Sequence, residues 1–302
     1  MNAIMRQLWD SFVGGIKLPL AILVFGLGPL FIAGWFLHRK KNQYRAEATE
    51  PFTRLPLRPA GESLRLKIDE LAERFDEALT SLALANVIAV VLTATAEPGK
   101  RLYTGIGVGI LVVLAYLRYL PRLFRTARQL WDYRLGYKGE RVVGEELNQL
   151  LAVGFRVFHD VPFDGFNVDH VLVGPPGVYA VETKTRRKPA HIAGREKATV
   201  EFDGSKLVYP SWSDFRTLEQ ARRNAKTLSE WLTSAVGEHI AVNAILTIPG
   251  WWVERKARGD VNVLNPDEIK HSFPTRPKEP LSEKLIQQIA HQLTEKCRMK
   301  VE

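Results

Sequence analysis

Three long stretches without a charged side chain constrain the fold of this chain more than any other feature. The first, 18–37, has twenty residues, enough for a helix to cross the hydrocarbon core of a bilayer. The second covers 78–96. The third covers 102–117, or extends to 120 if Arg118 reaches towards the headgroups. A turn at 97–101 joins the last two stretches. The sequence therefore predicts about three transmembrane helices, with a buried soluble hairpin as the alternative for the last two stretches.

Lysine and arginine side chains near the ends of these stretches predict the orientation. "HRKK" follows the first stretch at 38–41, and four arginines follow the third: Arg118, Arg122, Arg125 and Arg128. Because such residues are retained on the cytoplasmic side, we expect residues 38–77 and 121–302 to face the cytoplasm. This predicts a multi-pass protein of the inner (cytoplasmic) membrane, with the lipid bilayer as a partner. The net charge of +9 fits this bias or an anionic partner.

Beyond the third stretch the pattern is that of a mixed α/β domain. It predicts a helix that ends near Gly154, strands at 155–161, 166–173 and 177–185, and a hairpin within 190–210. A helix from Asp214 to Gly237, a buried strand at 239–248 and a C-terminal helix at 281–298 follow. The predicted organisation is an N-terminal membrane anchor (1–41), a cytoplasmic amphipathic segment (42–77), a transmembrane hairpin (78–120), a basic linker (121–135), the α/β domain (136–265) and a helical extension (266–302).

The stretch "DHVLVGPPGVYAVETK", 169–184, places charged residues in apolar strands. If Pro175-Pro176 forms the tip of a hairpin, residues whose numbers sum to 351 lie opposite one another. Asp169 then faces Glu182, and Lys184 shares their side of the sheet. A slip of one residue would separate the two acids.

Two adjacent carboxylates in an apolar sheet are costly unless a cation compensates them. Mg²⁺ or Mn²⁺ suits such a pair, because either ion combines one or two carboxylates with water and substrate phosphate. A lysine beside them can assist the attacking water or stabilise the charge that develops on phosphorus. An ordinary cluster of ion pairs is the alternative interpretation.

Three strings, "GERVVGEEL", "NVDHVLVGPPGVYAVETK" and "LEQARRNAKTL", resemble the NERD (nuclease-related) domain, a branch of the PD-(D/E)xK restriction-endonuclease-like superfamily. The resemblance covers about residues 136–250 and implies an αβββαβ core. It implies a catalytic set of Asp169, Glu182, Lys184, Glu140 and Gln220, with Glu145 as the alternative to Glu140. Helical spacing favours Glu140. The superfamily's proline before the first acid is absent, since Val168 stands there.

Basic side chains surround the predicted site. Arg186, Arg187 and Lys188 follow the hairpin, and Arg222 and Arg223 lie on the helix of Gln220; contacts to phosphates and solvated surface positions are the two interpretations. Trp251 and Trp252 stand among further basic residues and are either base-stacking or, more commonly, packing residues. Alternation turns His170 away from Asp169, which indicates a structural histidine.

Together these features predict a membrane-anchored nuclease that depends on Mg²⁺ or Mn²⁺ and acts on nucleic acid, with DNA favoured over RNA. Asp169, Glu182 and Glu140 would hold the metal, Lys184 would assist the reaction, and Gln220 would position ligands or substrate. Two alternatives remain. One is a catalytically inactive module of nuclease fold that binds nucleic acid or protein at the membrane, and the other is a membrane assembly protein.

Overall fold

The computed structural model describes residues 35–36, 39–40, 55–189, 198–269, 271–273 and 279–299. The first apolar stretch therefore lies almost wholly outside the described residues. The chain divides into two compact units. One consists of Met1–Thr53 and Leu71–Arg128, and the other of Arg54–Glu70 and Gln129–Glu302. The second unit thus combines two separate pieces of sequence, and the first of them was predicted as part of an independent amphipathic segment.

Two long helices, α1 (Glu62–Thr95) and α2 (Arg101–Asn148), carry the second and third apolar stretches. Both are long and apolar enough to cross a membrane, and only 6% of the most apolar part of each is buried. The described residues thus contain two such helices by length and composition, where the sequence predicts about three. Helix α2 continues through 121–135, where the sequence predicts a linker. Pro121 is tolerated inside it, at the cost of one intrahelical hydrogen bond.

Five strands form the main sheet of the second unit, in the order β1-β2-β3-β7-β9. The first three strands pair antiparallel, and β3, β7 and β9 are parallel. Their bounds are β1 Arg156–Pro162, β2 Asn167–Gly174, β3 Gly177–Thr183, β7 Val242–Thr247 and β9 Val261–Leu264. A 3₁₀ turn, Gln149–Val153, leads from α2 into β1. A helix, three strands, a helix and a strand thus follow in the order that the sequence predicts.

A smaller sheet has the order β6-β5-β4-β8. Its strands are β4 Thr199–Phe202, β5 Leu207–Tyr209, β6 Trp212–Asp214 and β8 Trp252–Arg255. The hairpin of β4 and β5 falls within the predicted one, whereas β6 and β8 were not predicted.

The remaining helices are α3 Arg216–Val236, α4 Pro266–Ile269 and α5 Glu283–Cys297. Gly237 ends α3 with a φ of 86°, as predicted. Asp214 caps its first turn by accepting the backbone N–H of Thr217 over 3.1 Å.

The main sheet has apolar residues on both faces and is covered on both. One face packs against the C-terminal part of α2, through a cluster that includes Val143, Leu147, Leu172, Val181 and Ile245. The other face packs against α3, α5 and the smaller sheet, through a cluster that includes Val171, Ala180, Leu218, Leu228 and Ile289. Residues 171–173 of β2 and 178–181 of β3 belong alternately to the two clusters, so the side chains of these positions have defined sides of the sheet.

A buried aspartate ties residues 55–70 to the main sheet. The carboxylate of Asp160, 2% exposed, forms an ion pair with Arg58 and accepts the backbone N–H of Ser63 over 3.0 Å. Asn167 donates to the same carboxylate over 3.0 Å. Asp160 has a φ of 49°, uncommon for a residue with a side chain. No sequence pattern indicated this cluster, because Arg58 and Ser63 lie about a hundred residues before Asp160 in the sequence.

Candidate active site

The β2–β3 hairpin brings the two predicted acids together. His170 lies opposite Val181, so the numbers of opposed residues sum to 351, as the hairpin prediction requires. Asp169 lies beyond the last pair of this ladder, where it accepts the N–H of Thr183, and the charge of Glu182 acts on it from close by. Alternation places Lys184 on the same side of the sheet, and this is the side covered by α3. His170 faces α2 instead, as predicted.

Backbone and side-chain contacts hold these groups in place. The backbone N–H of Thr183 donates to Asp169 Oδ2 over 2.7 Å. The Lys184 ammonium lies 3.0 Å from Gln220 Oε1 and 3.5 Å from Glu182 Oε1. The structure therefore brings four of the five predicted catalytic residues into one connected group.

Asn224 is a member of this group that the sequence did not indicate. Its side-chain amide donates to Glu182 Oε2 over 2.8 Å, and the contact is buried. Gln220 and Asn224 are four residues apart on α3, so they lie on one face of the helix. One amide contacts the lysine and the other contacts the glutamate. The four-residue spacing in "QARRN" could have indicated that Asn224 lies beside Gln220, but an asparagine in a helix does not by itself predict a site residue.

Glu140 is the fifth predicted residue, and its environment in the structure differs from that of the alternative, Glu145. Glu140 is 8% exposed and lines the same cleft as Asp169 and Glu182. Glu145 is exposed and lies 3.2 Å from Arg141 in an ion pair. The close approach of α2 to the chain after β3 depends on Gly139, because a Cβ at that position would collide with the Thr185 hydroxyl.

Burial raises the pKa values of all three acids, and neighbouring carboxylates add to this effect at Asp169 and Glu140. Burial raises the pKa of Asp169 well above its usual range, and the charges of Glu182 and Glu140 add to this effect. Burial also raises the pKa of Glu182, against the opposing effects of Lys184 and Asn224. Burial, followed by the charges of Asp160 and Glu182, raises the pKa of Glu140 to about 8. Full ionisation of this group is therefore unfavourable unless positive charge is added.

The cleft has a volume of about 690 Å³ and is lined by these acids, Lys184 and Gln220. Among the described residues, no three His, Cys, Asp or Glu side chains form a ready-made metal cage. The two opposed carboxylates nevertheless fit an ion that takes only one or two protein carboxylates and completes its shell with water and phosphate. Asp169 has one oxygen bonded to the Thr183 N–H. Within the described chain, its other oxygen accepts no hydrogen bond.

Three of the five predicted nucleic-acid contacts are paired with aspartates: Arg186 with Asp214 (3.1 Å), Arg187 with Asp132 (2.8 Å) and Arg222 with Asp260 (2.6 Å). The pairs of Arg187 and Arg222 lie at the surface and are therefore weak, so a phosphate can replace the aspartate in them. Lys188 and Arg223 are exposed and have no ion pair within the described part of the chain. The positive charge of Arg223 lowers the pKa of Glu182, which indicates that it lies near the acidic group.

The two tryptophans after β7 are placed differently from one another, and Trp251 has the packing role that the sequence analysis favoured. Trp251 is 1% exposed, and its indole N–H donates to the backbone oxygen of Arg186 over 3.1 Å, so it is a packing residue. Trp252 is 52% exposed but does not line the cleft. Trp212, which the sequence analysis did not single out, does line it.

A chain of polar side chains lies behind the hairpin and leads from the buried Thr183 and His170 to the exposed Asn148. His170 contacts Thr183 Oγ1 over 3.2 Å and His159 over 2.9 Å, and His159 contacts Asn148 Oδ1 over 3.0 Å. If Asn148 Oδ1 accepts a hydrogen bond from His159 Nε2–H, then His159 Nδ1 accepts from His170 Nδ1–H. His170 Nε2 in turn accepts from the Thr183 hydroxyl. Both histidines are then neutral. This agrees with burial, which lowers the pKa of His159 to about 4 and that of His170 well below its usual range.

Comparison with known proteins supports the class suggested by this geometry. Residues 135–249 match the family model of the NERD, or nuclease-related, domain. The match spans the end of α2, the main hairpin, α3 and β7, and thus includes all five predicted catalytic residues. It indicates a nuclease-related function and an interaction with nucleic acid. Neither the curated proteins nor the solved structures give a match.

Proposed function

We propose that this chain is a membrane-anchored nuclease that hydrolyses phosphodiester bonds of nucleic acid, with DNA favoured over RNA, at the cytoplasmic face of the membrane. One observation carries the proposal. Asp169, Glu182 and Lys184 share one side of a hairpin end and open into a cleft with Glu140 and Gln220. The nuclease-related match covers the same residues.

Each residue of the group has a distinct role in this mechanism. Asp169 and Glu182 would hold Mg²⁺ or Mn²⁺, with Glu140 completing the acidic set. When bound, the ion supplies Lewis acidity to the phosphate and makes a coordinated water a better nucleophile. Lys184, held by the Gln220 oxygen at 3.0 Å, presents its ammonium to the negative charge that develops on phosphorus. Asn224 fixes the orientation of the Glu182 carboxylate through the 2.8 Å hydrogen bond.

The test is cleavage of linear, nicked and single-stranded DNA and of RNA by the full chain in detergent, with Mg²⁺ or Mn²⁺. We expect Lys184→Ala and Glu182→Ala to abolish cleavage while the protein stays folded. Lys226→Ala is the matched control, because Lys226 is exposed on α3 and pairs only weakly with Glu230 at 3.9 Å. Two folded variants that cut as well as the parent would refute the mechanism.

The inactive-module alternative is an outcome of the same experiment. It predicts binding of nucleic acid that falls with rising salt, persists in Glu182→Ala and is never followed by cleavage. The assembly-protein alternative predicts no binding even at low salt. The proposal requires that binding and metal-dependent cleavage occur together in the parent.

The membrane part of the proposal rests on α1 and α2 and on the arginines that follow the third apolar stretch. It places the turn at 97–101 outside and the second unit in the cytoplasm. Cys297 is buried, so introduced cysteines can report the topology. A membrane-impermeant maleimide should label Gly99→Cys in intact cells, and Ser234→Cys only after lysis. Labelling of both in intact cells would refute this orientation.

A further inference from the structure

The rim of the acidic cleft carries an aromatic side chain that the proposed mechanism does not use. Trp212 lies on β6, at the edge of the smaller sheet, and lines the cleft together with Asp169, Glu182 and Lys184. Its side chain is 38% exposed. Aromatic side chains beside a groove that takes nucleic acid are surfaces on which bases stack.

The indole of Trp212 is supported from the core. It stacks on the ring of Tyr209, with centroids 4.0 Å apart and an interplanar angle of 10°. Tyr209 is 3% exposed and packs edge-to-face against the buried Trp251 at 4.9 Å. Three aromatic rings therefore lead from the core to the cleft, and the outermost one is held in a fixed orientation.

A guanidinium group completes this surface. Arg186 Cζ lies 5.4 Å from the centre of the Trp212 ring, and Asp214 holds the same side chain through a 3.1 Å ion pair. Arg186 Nε is buried and finds no acceptor among the described residues. Indole and guanidinium are both flat groups on which nucleobases stack.

We propose that Trp212 and Arg186 form a stacking subsite for an unpaired nucleobase, so that the site takes single-stranded or frayed nucleic acid. The inference rests on the proposed function and specifies its substrate class. A base inside a duplex has both faces covered by its neighbours, whereas an unpaired base can offer one face to the indole. The subsite lies on the same cleft as the acids, so a strand held there has its phosphates beside them.

Binding without cleavage tests the subsite. The full chain in detergent, with EDTA present, is titrated into a fluorescent single strand and into a blunt duplex of the same sequence. We expect Trp212→Leu to weaken binding of the single strand about ten-fold and binding of the duplex less than two-fold. Trp212→Phe should retain most of the affinity. Trp252→Leu, which removes an exposed tryptophan outside the cleft, should bind like the parent.

A second measurement needs only the parent protein, so that a poorly folded variant cannot decide the result. A single strand carrying 2-aminopurine at successive positions should lose emission on binding at one or two adjacent positions, where that base stacks on the indole. Unchanged emission at every position would overturn the proposal. An equal loss of affinity in Trp212→Leu and Trp252→Leu, or an equal loss for single strand and duplex, would also overturn it.

These outcomes separate the subsite from the hydrolytic function. If the strand stacks on the indole but is not cleaved with any metal ion, the proposed subsite stands and the proposed nuclease function is refuted. Cleavage by a Trp212→Leu protein that binds single strands like the parent refutes the subsite and leaves the nuclease intact.

Discussion

Glu140 provides a test of the electrostatics of the site that does not depend on catalysis. Burial and neighbouring acids raise its pKa from 4.5 to about 8. The folded protein therefore keeps a proton on Glu140 that the unfolded chain releases above pH 4.5. Because the folded state binds more protons between these values, the stability contributed by this group is fully present at low pH. It is lost as the pH rises towards 8 and beyond.

Glu140→Gln removes the charge and keeps the shape, so it should stabilise the metal-free protein at alkaline pH. Integration between the two pKa values gives a gain of about 4 kcal/mol at pH 8 and about 1 kcal/mol at pH 5. The assay is urea unfolding of the full chain in detergent with EDTA, followed by near-ultraviolet circular dichroism at pH 5, 6.5 and 8. Differences between variant and parent cancel the titration of groups that do not interact with Glu140.

The control is Glu145→Gln, on the same helix but exposed and paired with Arg141. It should change stability by less than about 0.5 kcal/mol at every pH. Addition of Mn²⁺ should stabilise the parent at pH 8 more than the Gln variant, if the acids hold the ion. A Glu140→Gln protein that is less stable than the parent at pH 8, or a difference that does not vary with pH, would contradict the reasoning.

Three further predictions concern residues around the site. Asn224→Leu removes a hydrogen-bond donor from Glu182. It should therefore move the acidic limb of the cleavage profile about 1–2 pH units upward, measured from pH 6 to 9 with Lys226→Ala as the control. Gly139→Ala should destabilise the protein by about 1–3 kcal/mol in urea unfolding, because the new Cβ meets Thr185; unchanged stability would argue against this close approach. His159 has a pKa lowered to about 4 by burial, so its contribution to stability should fall by about 3 kcal/mol between pH 6.5 and pH 4. His159→Gln should flatten that fall, and identical pH profiles of parent and variant would count against the neutral pair.

The sequence was sufficient to predict the parts of the site that depend on local periodicity. The turn at Pro175-Pro176 and the two-residue alternation of the strands specify which side chains oppose one another. The predicted register agrees with the structure as far as His170 and Val181, the pair next to Asp169 and Glu182. The glycine that ends α3 and the choice of Glu140 over Glu145 follow from similarly short-range rules, namely a positive φ and helical spacing.

Features that depend on distant segments were not predictable in this way. The aspartates that pair with Arg186, Arg187 and Arg222 lie between 28 and 55 residues away in sequence, so spacing gave no indication of them. The two tryptophans beside basic residues looked equivalent, yet Trp251 is buried before β8 begins, and Trp252, the first residue of β8, is exposed. The segment 121–135 was interpreted as a linker because of its charge, although its residues are compatible with a helix and α2 continues through it.

The contacts of Asp160 have a consequence for any attempt to isolate the site. The unit that carries the acids is discontinuous in sequence, because residues 54–70 and 129–302 form one unit. The helical segment 71–128 is inserted between these two pieces. A fragment that begins at residue 121 lacks Arg58 and Ser63 and leaves the Asp160 carboxylate buried without its cation, at a cost of about 3–5 kcal/mol. A water-soluble version should instead join residue 70 to residue 129 through a flexible linker, so that segment 71–128 is removed and both pieces of the unit are kept.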